Sequence, residues 1–267
     1  MVRTIRSGNV VEKTQFYVGN RRPRADRKKG SSSRAKLDAN DRAAIRILAR
    51  TINCNWHKGD LLITGEFDDN HLPATASAAD KIHALFWRRL SRELKKLGVK
   101  IRGFWLTADK DSETGGPVRL HFHAVVAADG ITVEWDEETG RLLSARVGSR
   151  ELGEIWDQGS LHVKPLRQQD DYTPLAVYLL RQAAERPDGK HWHPSRGLRK
   201  PVLESERVVP CPKVLRAPGG ATVHEVGHYD EESGCHYIRY TRRKKTEKIG
   251  GHKERRIWEG EQNGIPV

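Results

Sequence analysis

Apolar side chains recur at helical spacing in three parts of the chain, and a shorter helical segment lies between the last two. Residues three and four positions apart share one face of a helix. The pattern predicts helices over residues 41–51, 78–97, 149–156 and 173–186. Ser77 followed by Asp80 resembles a capping box at the start of the second helix, and Gly98 is a natural stop. Thr173 as N-cap with Pro174 behind it is typical of a helix start.

Shorter apolar or alternating runs, bounded by glycine, proline and polar turn residues, predict strands. They cover residues 60–67, 100–108, 119–127, 131–133, 142–147, 159–165, 222–226 and 235–242. The second and third runs form a predicted hairpin, and two further hairpins follow. The order is helix, strand, helix, hairpin, hairpin, helix, strand, helix. It favours an α+β fold, with helices packed on an antiparallel sheet of about five strands.

The ends of the chain differ from its centre. Residues 21–36 are rich in Arg, Lys, Ser and Gly and have no apolar period, so they cannot bury enough surface to become ordered. We therefore predict a basic disordered tail over residues 1–38 and a main domain over 39–205. Residues 206–267 form a predicted C-terminal extension with a hairpin and a basic tail.

Composition narrows the class of partner. The 267 residues include 48 Lys and Arg against 35 Asp and Glu, a formal net charge of +13. Such an excess favours a polyanionic partner, usually nucleic acid, over a surface that is basic only for solubility. The three cysteines are far apart, which suits a reducing cytoplasm better than a disulfide framework. No apolar run approaches the ~18 residues of a membrane span, and no apolar segment follows the early arginines as in a signal peptide.

The most informative short motif is His121-Phe122-His123 in a predicted strand. Residues i and i+2 of a strand point to the same face, so both imidazoles can reach one cation. Phe122 and its apolar neighbours Leu120 and Ala124 point the other way, into the core. Two histidines on a solvated face are the alternative, because a bare His-x-His is common by chance.

Two histidines leave a divalent cation short of ligands, and a carboxylate is the expected third one. Asp109 ends the neighbouring strand of the same predicted hairpin and is the first choice. Glu66 ends the first predicted strand and is the second choice. Asp111 and Glu113 are alternatives in the loop, and any of these side chains can equally be a solvated carboxylate.

The last predicted helix carries Tyr178-Leu-Leu-Arg181. Residues three apart share a helix face, so Tyr178 and Arg181 can address one phosphate, and Gln182 joins them at i+4. A tyrosine on an amphipathic helix is more often a packing residue. Tyr172 is a competing candidate, although it precedes the predicted cap.

Taken in order, several segments resemble one family. They are WHKGDLLIT (56–64), RLHFHAVV (119–126), EIWDQG (154–159), LAVYLLRQ (175–182) and WHPSRGLRKP (192–201). Together they resemble the HUH endonucleases that initiate rolling-circle replication, with the closest likeness to phage and plasmid replication-associated proteins of the phage gene II type. The resemblance implies an HUH/RRM-like palm in residues 39–205. It also implies an enzyme that nicks and rejoins single-stranded DNA through a 5′-phosphotyrosine.

Carried over residue by residue, the resemblance implies that His121 and His123 bind Mg or Mn and that Tyr178 attacks the DNA. It also implies an acidic ligand, for which Asp109 aligns best. Arg181 is a departure, because the family usually has lysine there. Arginine stays protonated, so it can hold the scissile phosphate but cannot transfer a proton.

The expected partner is single-stranded or hairpin DNA, with host replication machinery as a further partner. The expected backbone contacts are Arg88 and Arg92 on the second helix, followed by Arg196, Arg199 and Lys200 in a segment that lacks the pattern of a regular strand. Two other functions fit the same residues. One is a non-catalytic nucleic-acid-binding protein, and the other is an oxygenase or hydrolase with two histidines and one carboxylate at its metal.

Overall fold

A computed structural model describes residues 1–16, 34–136, 138–139, 141–185, 191–209, 214–230 and 235–242 of the chain. These ranges contain four helices and thirteen strands. The strands form two antiparallel sheets of five strands and one sheet of three. The α+β class predicted from the order of elements is confirmed. None of the helices in these ranges is both long and apolar enough to cross a membrane.

The elements have the following bounds. The helices are α1 (Arg34–Asn55), α2 (Ala76–Lys96), α3 (Leu152–Trp156) and α4 (Thr173–Gln182). The strands that precede α2 are β1 (Val2–Ser7), β2 (Val10–Gln15) and β3 (Leu61–Glu66). The strands between α2 and α4 are β4 (Gly103–Lys110), β5 (Pro117–Val126), β6 (Thr132–Trp135), β7 (Leu142–Val147), β8 (Arg150–Glu151) and β9 (Leu161–Pro165). The strands after α4 are β10 (His193–Pro194), β11 (Val202–Arg207), β12 (Thr222–Asp230) and β13 (Cys235–Thr241).

The central sheet has the strand order β10-β4-β5-β3-β9. Helices α2 and α3 cover one face, where Phe86, Phe122 and Trp156 belong to one apolar core. Helices α1 and α4 cover part of the other face, where Leu48 and Leu179 belong to a second core. Successive residues of a strand alternate between faces, so β5, the middle strand of this sheet, contributes to both cores through its buried second half, residues 122–126.

A second five-stranded sheet, in the order β11-β1-β2-β13-β12, joins the two ends of the chain. The prediction of a disordered tail over residues 1–38 is therefore wrong for residues 2–15, which form β1 and β2, and for residues 34–38, which belong to α1. Val2, Val10 and Val11 are buried there, but the basic run behind them dominated the composition. Residues 17–33, which include most of that run, lie outside the described residues, as does the predicted basic tail after residue 242. The predicted boundary at 205/206 falls inside β11.

Buried ion pairs link the second sheet to α1 and α4. Arg50 of α1 donates to Glu12 of β2 at 2.6 Å, and Arg239 of β13 pairs with Asp171 at 2.7 Å, just before α4. Asp171 also accepts hydrogen bonds from the backbone and side chain of Thr173, the first residue of α4. The second sheet thus holds the start of α4 in place.

Local boundaries differ from the sequence prediction in informative ways. Helix α2 is capped by Thr75 rather than Ser77, since the Thr75 hydroxyl accepts from the amide of Ala78 at 3.2 Å. Thr173 is the first residue of α4 rather than its N-cap, because its hydroxyl is bound to Asp171 instead. Helix α4 ends at Gln182, with Ala183 in an extended conformation as its C-cap. The predicted continuation of this helix toward residue 186 is therefore wrong for residues 183–185, and residue 186 lies outside the described residues.

Residues 192–201 lack a regular strand pattern, yet they contribute the two-residue strand β10. Its register sets His193 opposite Trp105 and Pro194 opposite Phe104 of β4. The His193 imidazole stacks on the Trp105 ring with centroids 4.1 Å apart. In the run His191-Trp192-His193, the His193 ring is therefore used for packing at the edge of the central sheet.

Candidate metal and tyrosine site

The central strand β5 carries His121 and His123 on the face that α1 and α4 partly cover. In the register with β3, His121 lies opposite Glu66 and His123 opposite Thr64. The two Nε2 atoms face each other at 3.2 Å, while Phe122 between them lies in the core under α2. The alternation of the strand therefore brings the two imidazoles together, as the sequence predicts.

Hydrogen bonds fix the tautomer of His121. Its Nδ1 lies 2.9 Å from the carbonyl oxygen of Arg119, which can only accept, so Nδ1 carries the proton in the neutral ring. The lone pair of Nε2 is then directed at His123. This is the arrangement in which imidazoles bind metals, with the second nitrogen held by a hydrogen bond.

His123 is buried and neutral. Its Nδ1 lies 3.0 Å from the Thr64 hydroxyl. Burial, together with the nearby His121, lowers the pKa of His123 to about 4. At neutral pH its ring is therefore uncharged. Its Nε2 faces two acceptors, the Nε2 lone pair of His121 and Oε1 of Gln182, so Nε2 carries the proton in this structure. Because the Thr64 hydroxyl can donate or accept, the proton can be held on Nδ1 instead when Nε2 binds a cation.

A third donor atom comes from α4. The Oε1 atom of Gln182 lies 3.3 Å from Nε2 of His123, and the Gln182 side chain is buried. The amide is oriented by its other end, because Nε2 of Gln182 donates to the backbone oxygen of Tyr178 at 3.3 Å. Two imidazole nitrogens and one amide oxygen converge, a donor set that suits a divalent cation such as Mn²⁺.

The two predicted carboxylate ligands are placed differently. Glu66 lies beside His121 in the register and lines the same cavity, with its Oε2 at 3.4 Å from the Ser160 hydroxyl. Asp109 follows Ala108 at an irregularity in the β4–β5 pairing and is not among the residues that line the cavity. Of the two, only the second choice lies at the histidines. Within the described ranges, no three His, Cys, Asp or Glu side chains are grouped to hold a metal ion.

The loop alternatives also lie elsewhere. Asp111 accepts hydrogen bonds from the backbone amides of Glu113 and Thr114. These bonds lower the pKa of Asp111, with Thr114 making the largest contribution. Asp111 therefore shapes the β4–β5 turn, and neither it nor Glu113 lines the cavity.

Tyr178 stands over the histidines. Its ring centroid is 5.7 Å from that of His123, and the residue is 40% exposed. The competing Tyr172 is buried, and its hydroxyl donates to the backbone oxygen of Arg167 at 3.0 Å. Tyr178 thus has the accessible hydroxyl, while Tyr172 is a packing residue.

Arg181 does not share the site with Tyr178. It lines a separate cavity of about 240 Å³ beside Lys110 and His191. A helix turns by about 100° per residue, so positions i+3 and i+4 lie on opposite sides of position i. Because Gln182 faces the histidines, Arg181 is directed away from them. The prediction that Tyr178 and Arg181 address one phosphate lacks support from this geometry.

The cavity over the histidines has a volume of about 610 Å³. It is lined by residues of β3, β5, β9 and α4: Leu62, Thr64, Glu66, Val118, Arg119, Leu120, His121, His123, His162, Lys164, Tyr178 and Gln182. The sequence prediction missed His162 and Lys164. Their alternation around the buried Val163 was visible, but the position of β9 beside β3 was not.

The predicted DNA contacts fall into two groups. Arg88 and Arg92 are on α2, which packs on the sheet face opposite the histidines, so the structure does not bring them to the cavity. Arg196, Arg199 and Lys200 are exposed after β10. The backbone of Arg199 is fixed by two hydrogen bonds to the Asn55 side chain, at the end of α1.

Comparison with known proteins adds no relative. Neither a family model, nor a curated protein, nor a solved structure matches this chain.

Proposed function

We propose that this protein nicks and rejoins single-stranded DNA with Tyr178 as the nucleophile. The observation that carries the proposal is the accessible Tyr178 ring, which shares one cavity with the paired imidazoles of His121 and His123. The net charge of +13 favours a polyanionic substrate. The resemblance of the sequence to HUH endonucleases points to the same reaction.

A divalent cation, Mg²⁺ or Mn²⁺, suits this donor set and would stabilise negative charge on the scissile phosphate. His121 and His123 would hold it through their Nε2 atoms and Gln182 through its Oε1 atom. Imidazole ligands favour Mn²⁺ over Mg²⁺. Glu66, at the rim of the same cavity, is placed to accept a hydrogen bond from a water molecule beside the ion.

In the proposed reaction the Tyr178 oxygen attacks phosphorus and the bond from phosphorus to the 3′ oxygen breaks. The products are a 5′-phosphotyrosine and a 3′ oxygen that takes up a proton. A later attack by a 3′-hydroxyl reverses these steps and rejoins the DNA. A free tyrosine titrates near pH ~10, and Arg181 faces another cavity. Activation of Tyr178 therefore depends on charge at the histidine site.

The free 3′-hydroxyl is a primer, which fits a rolling-circle replication initiator of a plasmid or phage. Such a protein would act in the cytoplasm of a bacterial or phage-infected cell, with host replication machinery extending the primer. The substrate would be single-stranded or hairpin DNA, as the resemblance to HUH endonucleases implies.

The test uses the full chain, Mn²⁺ and a panel of hairpin oligonucleotides. Wild-type protein is expected to give an SDS-resistant protein–DNA adduct. Tyr178→Phe is expected to give none and to bind Mn²⁺ as tightly as the wild type. Tyr172→Phe is the matched control and should keep the adduct, because that hydroxyl is buried away from the cavity.

Failure of the wild type to form an adduct across the panel, or an adduct that persists in Tyr178→Phe, contradicts the proposal. DNA binding without any adduct would favour a non-catalytic nucleic-acid-binding protein. Turnover that requires oxygen and a cosubstrate would favour an oxygenase with two histidines and one carboxylate.

A further inference from the structure

The sheet face that carries the histidines is covered over only half its width. On β4, the residues Phe104, Leu106 and Ala108 are fully buried in the core formed with α1 and α4. On the other side of β5, the same face of β9 presents His162 and Lys164, which are both exposed. The cavity thus has a helical wall on one side and continues over open sheet on the other.

The register of β3 with its neighbours places groups of opposite charge at the two ends of this open half. Thr64 of β3 lies opposite both His123 and His162, while Leu62 lies opposite Lys164. Glu66 lies four residues from Leu62 on β3, which is about 13 Å along a strand. The cation and the carboxylate of this surface therefore lie at opposite ends, with His162 level with His123.

The charge of Lys164 is not neutralised by the rest of the described chain. Its ammonium group has no carboxylate within ion-pair distance there, whereas Arg119, the other cation at the cavity, pairs with Asp69 at 2.7 Å. An exposed and unpaired ammonium group beside a cavity attracts phosphate. Lys164 lies two strands from β5, about 10 Å across the sheet.

The in-line geometry of the proposed attack by Tyr178 directs the departing DNA strand toward this surface. Attack on phosphorus is roughly in line with the departing oxygen. Tyr178 approaches from the α4 side, so the departing part of the strand lies on the side away from α4. That side is the open half formed by β3 and β9.

We propose that this open half binds the backbone of single-stranded DNA next to the scissile phosphate. Lys164 contacts one backbone phosphate, and His162 donates a hydrogen bond to the same stretch. The inference rests on the proposed nicking function for the direction of the strand, but the binding itself needs no chemistry.

The experiment measures binding alone. Full-length Tyr178→Phe protein with Mn²⁺ is titrated with a fluorescein-labelled dT12 oligonucleotide at several salt concentrations, and anisotropy gives Kd. Adding Lys164→Gln is expected to weaken binding and to reduce the slope of log K against log salt by about 0.7, the value for one phosphate contact on a single strand. His162→Gln is expected to weaken binding without a comparable change of slope.

Lys95→Gln is the matched control. Lys95 is an exposed lysine in the last turn of α2, on the opposite side of the central sheet. Equal slopes for Lys164→Gln and Lys95→Gln overturn the subsite. A reduction of the slope of log K against log salt in Lys164→Gln but not in Lys95→Gln supports it, even if the wild type forms no covalent adduct. An adduct in the wild type with an unchanged slope in Lys164→Gln leaves nicking standing and removes the subsite.

Discussion

Each face of the central sheet buries a histidine, but the two side chains have different surroundings. On one face, His83 of α2 lies among aromatic rings, with centroids 5.0 Å from Phe122 and 5.7 Å from Trp156. Under α4, His123 is almost as buried but lines an open cavity beside the exposed Tyr178. The first face is filled with apolar rings, and the second leaves donor atoms accessible.

The comparison shows that burial alone does not identify a functional histidine. The Nδ1 atom of His83 lies 2.8 Å from the Thr107 hydroxyl, much as that of His123 lies near Thr64. What distinguishes His123 is its Nε2 atom, which meets donor atoms of two other residues at the cavity floor. The accessible nitrogen marks the site, and the hydrogen-bonded one orients it.

The largest expected effects come from removing each of the two histidines in turn. His83→Ala removes a buried ring and should lower the free energy of unfolding by about 3 kcal/mol, with little change in Mn²⁺ affinity. His123→Ala should weaken Mn²⁺ binding by more than about 100-fold, with a smaller loss of stability. Urea denaturation and calorimetric Mn²⁺ titration measure the two effects. If His83→Ala impairs Mn²⁺ binding as much as His123→Ala does, the assignment of His83 to packing and of His123 to metal binding is contradicted.

A second test concerns the third ligand on the α4 face. Gln182→Ala removes the amide oxygen and should weaken Mn²⁺ binding by about 10- to 100-fold, while Gln182→Glu keeps an oxygen donor and should restore binding. Asp109→Asn serves as the control and should bind Mn²⁺ normally, because Asp109 does not line the cavity. The opposite result, a loss in Asp109→Asn only, would reinstate the carboxylate predicted from the sequence.

A smaller effect is expected from the ion pair that holds the start of α4. Burial alone would raise the pKa of Asp171, but hydrogen bonds from Thr173 and Asn53 and the charge of Arg239 outweigh it, so the pKa is lowered. A carboxylate with a lowered pKa stabilises the fold above its unfolded pKa of about 4. That contribution disappears as the pH falls through the folded pKa.

Asp171→Asn should therefore cost about 2 kcal/mol at pH 7, and the gap from the wild type should close in acid. The control on the other face is Asp157→Asn, which loses only the exposed ion pair with Arg89. Its cost should be under about 1 kcal/mol, since asparagine also tolerates the left-handed backbone of residue 157. Urea denaturation from pH 3 to pH 7 distinguishes them. A constant gap for Asp171→Asn across this range would contradict the assignment.

The smallest effect is expected at Arg181. Because its side chain lines a separate cavity, Arg181→Gln should change the rate of adduct formation by less than about threefold, a difference under 1 kcal/mol. Arg181→Lys should behave like Arg181→Gln. A large loss in the glutamine variant that lysine restores would mean that position 181 acts on the phosphate after all.

The local sequence pattern was sufficient to predict most elements of the central sheet and to predict that the two histidines share one face. Alternation along β5 decides that face without knowledge of the partners of the strand. The carboxylate at the site could not be chosen from local pattern. Glu66 lies beside His121 only because β3 pairs with β5 in that register, and neither segment alone indicates such a long-range pairing.

The rotation of α4 about its own axis also could not be predicted from the sequence. By spacing alone, Tyr178 can share a helix face with either Arg181 or Gln182. The choice depends on which side of α4 packs on the sheet. Ala176, Leu179 and Ala183 form that packed side, and this places Gln182 over the histidines. At the N-terminus, β1 and β2 pair with each other as a local hairpin, and the basic composition of residues 21–36 was wrongly extended over them. Their outer partners, β11 and β13, lie about 200 residues away along the chain.

The pairing of β2 with β13 has a consequence for the order in which the protein becomes competent during synthesis. The first hairpin leaves the ribosome long before Arg239, the residue that holds the start of α4 through its ion pair with Asp171. Domains acquire structure from the N-terminus as they are made. We therefore expect nascent chains that end before β13 to carry every proposed ligand and the proposed nucleophile, yet to lack this ion pair at α4, so that the proposed activity becomes complete only after β13 is translated.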